Sequence, residues 1–295
     1  MGWFGYIQLI RPANIITAIA DIVAGVSIAG VLTLATDQHV LLNLILLIIS
    51  TSCLYGGGIV FNDVFDIEHD KVHRPERVIP SGKVSLKNAT IFGILLFGLG
   101  ILLAFGVSFL SVSVAAGIAL CALLYDKYAK HHFLLGPLTM GACRGGNLIL
   151  GMSILGSIPH QFLWIGLLPV IFIAAITLTA QKETQGKNKM AIVVAMVLDT
   201  FIVIGFVLMG NYFDFSMKSA LLFIVFWYIV NATAKLKAIL NNRPESIQKA
   251  VKTGILSLIL LNASYVAGFS SLYLGVATLC LLPLSLYLSK KFAVT

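Results

Sequence analysis

Long apolar runs, broken at intervals by short charged loops, set the pattern of the chain. A run of about 20 residues matches the thickness of a bilayer core. On that basis spans are predicted over residues 12–34, 40–61, 86–105, 108–124, 135–155, 162–180, 190–209 and 215–233. A last apolar stretch, 251–288, is interrupted at Gly268-Phe269-Ser270-Ser271 and reads as one span or as two short ones. The predicted fold class is therefore all-α, a polytopic membrane bundle of nine or ten transmembrane helices. No linker rich in Pro, Ser or charge divides residues 1–295, so a single domain is expected. Trp3, Phe4 and Tyr6 suit the headgroup level, and Pro12 suits a first helical turn. The amino terminus lacks the charged, apolar and small-residue order of a cleaved leader, so the first span reads as retained.

Composition sharpens this picture. The chain is 59% hydrophobic and 11% charged, with a mean hydropathy of +0.98. A soluble domain carries roughly a quarter of its residues as charges, so that class is excluded. The net charge of +8 would suggest a nucleic-acid partner in a soluble protein. Here the basic residues fall between spans rather than in a patch, and no nucleic acid is expected. Counted by side, Arg11, Lys71, Lys127, Lys182, Lys235 and Lys290 belong to one face, and Lys218 stands on the other. The positive-inside rule then predicts a multi-pass protein of the cell inner membrane, with its amino terminus and polar loops cytoplasmic. Cys53, Cys121, Cys143 and Cys280 lie scattered in apolar segments and read as small hydrophobes.

The densest polar stretch is NDVFDIEHDKVHRPERVIPSGKVS, residues 62–85. Read as helix, it places Asp63, Asp66 and Asp70 three and four residues apart, on one face. Carboxylates so arranged repel unless a cation stands among them, and oxygen-only ligands beside a phosphate favour Mg2+. Arg74 and Arg77 follow, with the planar donors that grip a diphosphate. A second loop supplies Tyr125, Lys127 and Lys130, and a third supplies Lys182, Glu183 and Gln185. Inside the spans, Asn14, Thr17 and Asp21 share one helical face, and Asp199 and Arg144 are further intramembrane polar residues. Such residues mark a functional cavity unless they satisfy one another; Arg144 is expected to pair with Asp21 or Asp199 if it does not reach the cavity.

Asn62-Asp63-x-x-Asp66-x-x-x-Asp70, with Arg74, Arg77 and Pro80-Ser81-Gly82, resembles the first signature of the UbiA superfamily of intramembrane prenyltransferases. Arg11-Pro12-x-Asn14 opens the first helix as in that family, and Tyr125 with Lys130 resembles its Tyr-x4-Lys loop. Within the superfamily the run GPLTMGACRGGNLILGMS is similar to the EboC branch. The resemblance implies a bundle of about nine helices around a central cavity. It implies a polyprenyl diphosphate donor held by Mg2+, loss of diphosphate, and alkylation of a lipophilic acceptor, an aromatic ring among the candidates. On that pattern Asp63, Asp66 and Asp70 hold the metal, with Asn62 beside them. Arg74, Arg77 and Lys130 offset charge on the leaving group. Asn14, Tyr125, Arg144, Lys182 and Glu183 line the substrates, and Asp21 helps to place one of them.

The second family signature, an Asp-rich run after span six, is degenerate. The loop reads Gln181-Lys182-Glu183-Thr184-Gln185-Gly186-Lys187, with a single acid. Lys182 and Lys187 are then expected to replace a second metal ion with fixed positive charge. The same departure supports an alternative, a UbiA-like protein that binds or carries an isoprenoid without turnover.

Overall fold

The computed structural model describes residues 3–34, 37–180 and 188–292. Among the described residues the regular structure is helical and no strand is present. The chain runs α1 (Trp3–Leu9), α2 (Pro12–Ile28), α3 (Gln38–Phe65), α4 (Ile67–His73), α5 (Leu86–Phe105), α6 (Phe109–Leu124) and α7 (Leu135–Met152). It continues as α8 (Leu167–Ala180), α9 (Lys189–Tyr212), α10 (Met217–Leu240), α11 (Pro244–Phe269), α12 (Leu272–Leu279) and α13 (Leu281–Lys291).

Local sequence accounts for where these helices begin. The first N–H groups of a helix lack intrahelical acceptors, and a serine or aspartate just ahead supplies one. Ser85, Ser108, Ser216 and Ser271 do this for α5, α6, α10 and α12, accepting from the N–H groups of Asn88, Ser111, Ser219 and Leu274. Asp37 accepts from His39 and Val40 at the start of α3. Pro12 and Pro244 occupy the first turns of α2 and α11, where no N–H is needed.

Among the described residues, 8 helices are long and apolar enough to cross a membrane, or 9 if the kinked pair α1 and α2 is one span. The nine expected from sequence are reached only with the kinked pair counted, and with a different membership. The final apolar stretch does divide, because α11 ends at Phe269 and the chain resumes as α12 at Leu272. The helix α7 is not among the eight; Arg144 and Asn147 interrupt its apolar run.

The helix α2 occupies the middle and packs on α3, α7, α11 and α13. One apolar core, with Leu54, Phe97, Ile118 and Leu150, joins α2, α3, α5, α6 and α7. Another, with Phe172, Phe206, Trp227 and Tyr265, joins α8 to α11. The two meet along α2 and α7, whose backbones nearly touch. A Cβ on Gly25 would stand 2.3 Å from the Leu148 carbonyl oxygen, and one on Gly151 would stand 2.6 Å from that of Ile22. Backbone cannot yield there as a flexible side chain can, so glycine is required by space.

Gly151→Val is therefore expected to force α2 and α7 apart and to destabilise the bundle by about 1–3 kcal/mol or more. A lower melting temperature and a smaller monodisperse fraction in detergent are the expected readings, with Gly117→Ala, where a Cβ meets open space, as the neutral control.

Candidate active site

A cavity of about 350 Å³ opens among α2, α3, α6, α7, α8 and α11. Arg11, Asn14, Asn62, Tyr125 and Asp126 line one end, and Thr51, Tyr55, Arg144 and Asn147 also line it. The side walls are apolar, with Ile118, Ala122, Ile173, Ile176 and Leu258. On α3 the residues facing it are Thr51, Leu54, Tyr55, Gly58, Ile59 and Asn62, the three- and four-residue spacing of one helical face. At 1.5 Å per residue, Tyr55 lies roughly 10 Å along the helix from Asn62, and Thr51 roughly 16 Å.

The mouth is built where α3 breaks. That helix ends at Phe65, Asp66 leaves helical geometry at φ −87° and ψ 4°, and α4 begins at Ile67. Asp63 and Asp70 are nevertheless brought together, because one guanidinium serves both. Arg77 Nη1 donates to Asp70 Oδ2 at 2.7 Å and to Asp63 Oδ1 at 3.4 Å. Arg11 Nη2 donates to the same Asp63 oxygen at 2.5 Å. Asp66 pairs with the Lys130 ammonium. Asn62 Nδ2 donates to Asp126 Oδ1 at 2.9 Å.

The carboxylates expected to need a cation thus have basic side chains as partners. Among the described residues no three acids or histidines converge as a ready-made metal site. Of the candidates from sequence, Asn14, Asn62 and Tyr125 line the cavity, and Asp63, Asp66, Asp70, Arg77 and Lys130 form the mouth's ion pairs. Arg74 does not join them: it caps α4, is exposed, and makes none of the described ion pairs. Lys182 and Glu183 lie outside the described residues.

Two mouth residues escaped the sequence reading. Arg11 was legible as the start of the first span, not as a partner of Asp63, from which 52 positions separate it. It sits at the break between α1 and α2 with φ 46° and ψ 71°, the one non-glycine residue at positive φ among those described. Strain of that kind at a functional cluster is maintained by the contacts around it, here the salt bridge to Asp63. Asp126 lies in the second polar loop of the sequence and was not singled out there. It is buried, 4% exposed, because residues Tyr125–Ala129 continue α6 as a π-helical turn. Such turns re-aim side chains and recur at functional sites.

Within the bundle, Arg144 pairs with Asp21, one of its two expected partners, and not with Asp199. Arg144 Nη1 donates to Asp21 Oδ2 at 2.6 Å, and Nη2 donates to the Thr17 hydroxyl. Asn147 Nδ2 reaches Asp21 Oδ2 at 3.0 Å, and Asn262 Nδ2 reaches Asp21 Oδ1 at 2.6 Å. Asp199 finds a different partner. Lys235, read from sequence as a loop residue, lies inside α10 and donates to Asp199 Oδ2 at 2.6 Å. Both side chains are 2% exposed and neither lines the cavity.

The profile of the UbiA prenyltransferase family matches residues 23–194. The digeranylgeranylglyceryl phosphate synthase of Methanosarcina mazei is 42% identical over 128 residues, 43% of this chain and 43% of that one. That of Methanosarcina barkeri is 32% identical over 158 residues, 51% of this chain and 55% of that one. The chain spans about half the length of the curated relatives it matches. A solved structure described as a digeranylgeranylglyceryl phosphate synthase in membranes superposes with TM-score 0.70 at 23% identity, covering 90% of this chain and 97% of that one. A UbiA homolog from Archaeoglobus fulgidus bound to GPP and Mg2+ superposes with TM-score 0.60 at 14% identity, covering 89% and 99%. At these identities the structural likeness is one of fold.

The Asp199–Lys235 pair is isolated enough to be tested alone. Lys235→Met leaves a buried carboxylate without its counter-charge and is expected to cost about 3–5 kcal/mol. The double change Asp199→Leu with Lys235→Met is expected to recover most of that loss in thermal melts, since no charge then remains to be solvated.

Proposed function

Because the chain belongs to the UbiA prenyltransferase family, we propose that it is an intramembrane enzyme that moves a polyprenyl group from its diphosphate to a lipophilic acceptor. The observation that carries this reading is the mouth itself. Arg11, Asn14, Asn62, Tyr125 and Asp126 line one end of a cavity whose side walls are apolar, and Asp63, Asp66 and Asp70 lie beside that end in ion pairs with Arg11, Arg77 and Lys130. A diphosphate with a hydrocarbon tail asks for dense polar groups at one end and apolar side walls beside the tail.

The donor set suits a magnesium ion. Asn62, Asp63, Asp66, Asp70 and Asp126 offer oxygen ligands only, as a hard ion requires. Asp63, Asp66 and Asp70 would hold it, with Asn62 and Asp126 beside them. When bound, the ion would neutralise the diphosphate and make it a better leaving group. The basic residues have a second task in the same event. With the carboxylates engaged by the ion, Arg11, Arg77 and Lys130 would be free to hold phosphate oxygens. Fixed donors of this kind lower the cost of charge that grows on the leaving group. The apolar walls keep water from the allylic cation until the acceptor reaches it. With lysines and arginines concentrated on the side of the mouth, the site faces the cytoplasm.

A second reading is a protein that binds the diphosphate without turnover, and the loop 181–187 favours it by carrying one acid, Glu183. Purified protein in detergent, given a radiolabelled polyprenyl diphosphate and Mg2+, separates the two readings. Asp66→Ala is expected to lower diphosphate release by at least ~100-fold, and Glu183→Ala to have the milder effect. Chelation by EDTA is expected to stop release, and its rise with Mg2+ to be close to first order. An Asp66→Ala protein as active as the parent overturns the assignment of the mouth. Binding without release across several acceptors favours the second reading.

A further inference from the structure

The end of the cavity away from the mouth carries polar groups that a prenyl diphosphate does not use. Beyond its diphosphate the donor is pure hydrocarbon and offers no atom to a guanidinium. Yet Tyr55 and Thr51 line the cavity roughly 10 and 16 Å along α3 from Asn62, and Arg144 and Asn147 of α7 line it beside them, against the Tyr55 ring and the Thr51 hydroxyl. Resting on the prenyltransferase reading above, we propose that this polar floor recognises the acceptor, and that the acceptor carries an oxyanion there.

The floor is built in two layers. Asp21 is the lower one and is not available to a ligand. Its two oxygens already accept from Arg144, Asn147 and Asn262, and it is 1% exposed. Its task is to hold the layer above. Arg144 is thereby fixed in place, with Thr17 as a second acceptor and the Tyr55 ring at 5.0 Å from the guanidinium carbon. Asn147 is fixed by Asp21, by the Ala18 carbonyl at 2.9 Å, and by the Thr51 hydroxyl, which donates to its Oδ1 at 2.5 Å.

What remains free faces the cavity. A guanidinium has five N–H groups in a planar fork, and the contacts to Asp21 and Thr17 leave some of them for a ligand. The Tyr55 hydroxyl makes no hydrogen bond among the described residues. The guanidinium N–H groups left over from the Asp21 pair, with a hydroxyl beside them, are donors that suit the oxygens of a carboxylate, a phenolate or a phosphate. The cost of burying that ligand charge is offset because Arg144 is already dehydrated and oriented. With its oxyanion at Arg144, an acceptor would have its body between the floor and the mouth, in line with the carbon that loses diphosphate. Arg144 and Tyr55 are then the residues that set acceptor specificity, and Asp21 is a positioning residue.

The test uses the purified full-length protein in detergent. Geranylgeranyl diphosphate serves as donor probe, geranylgeranylglyceryl phosphate and 4-hydroxybenzoate as oxyanion probes, and squalene as a probe without oxygen. The parent is expected to bind at least one oxyanion probe and to discriminate against squalene. Arg144→Gln is expected to weaken that binding by at least about tenfold, and Tyr55→Phe by about threefold, as for lost hydrogen bonds to a charged ligand. Donor affinity is expected to stay within about twofold in both. Which probe responds distinguishes a phosphate headgroup from a phenol carboxylate. Should Arg144→Gln fail to fold, Tyr55→Phe, which keeps the ring and its packing, decides the matter. The proposal is overturned if the parent binds neither oxyanion probe, if squalene binds as well, if the variants bind the oxyanion as the parent does, or if donor and acceptor affinities fall together. A parent that neither binds nor cleaves geranylgeranyl diphosphate overturns the enzymatic reading instead. Normal diphosphate release with unchanged acceptor affinity in the variants removes the floor assignment alone.

Discussion

A carboxylate inside a membrane bundle must be answered by a donor, because neither lipid nor apolar side chain can solvate it. Five buried aspartates are answered here in three ways. Asp63 and Asp70 share Arg77 at the mouth, where partners can be exchanged. Asp126 has the Asn62 amide and no ion pair among the described residues. Asp21 and Asp199 have permanent cationic partners, Arg144 and Lys235. Positions in the fold follow from this: α2 sits centrally because it carries Asp21, Thr17 and Asn14, and α3 must reach the mouth because it carries Asn62 and Asp63.

The chemistry follows from how firmly each carboxylate is held. At the mouth the contacts come from the ends of helices and from the turn after α4, and Asp63, Asp66 and Asp70 each meet a base that also suits phosphate. That arrangement places counter-charge where an anionic ligand would bind. At the floor the donors come from helix interiors, and Asp21 is saturated on both oxygens. Such a group does not exchange partners readily. The cavity therefore has a responsive end and a fixed end, joined by dry walls.

Much of the fold was legible in the chain. Spans follow from run length, and their starts from Ser85, Ser108, Ser216, Ser271 and the two prolines. The acids of the mouth were legible because their spacing in residues 62–70 is local. What sequence could not supply was pairing across the bundle. Arg11 and Asp63, or Asn262 and Asp21 at a separation of 241 positions, meet through tertiary packing alone. Lys235 was misplaced for a related reason. A lysine near the end of an apolar run normally extends its amine to the interface, and only the presence of Asp199 on α9 keeps it inside. Asp126 was hidden because a π-helical turn cannot be read from residue types, and Arg74 was overvalued because adjacency to the acids does not set direction.

The backbone contact of Gly25 with Leu148 and of Gly151 with Ile22 has a mechanical meaning. Where main chains meet without side chains between them, no flexible group is there to absorb a shift of one helix against its neighbour. The helices α2 and α7 thus act as the axle of the bundle. Any breathing that lets long, greasy molecules in and out has to be carried by the helices around it.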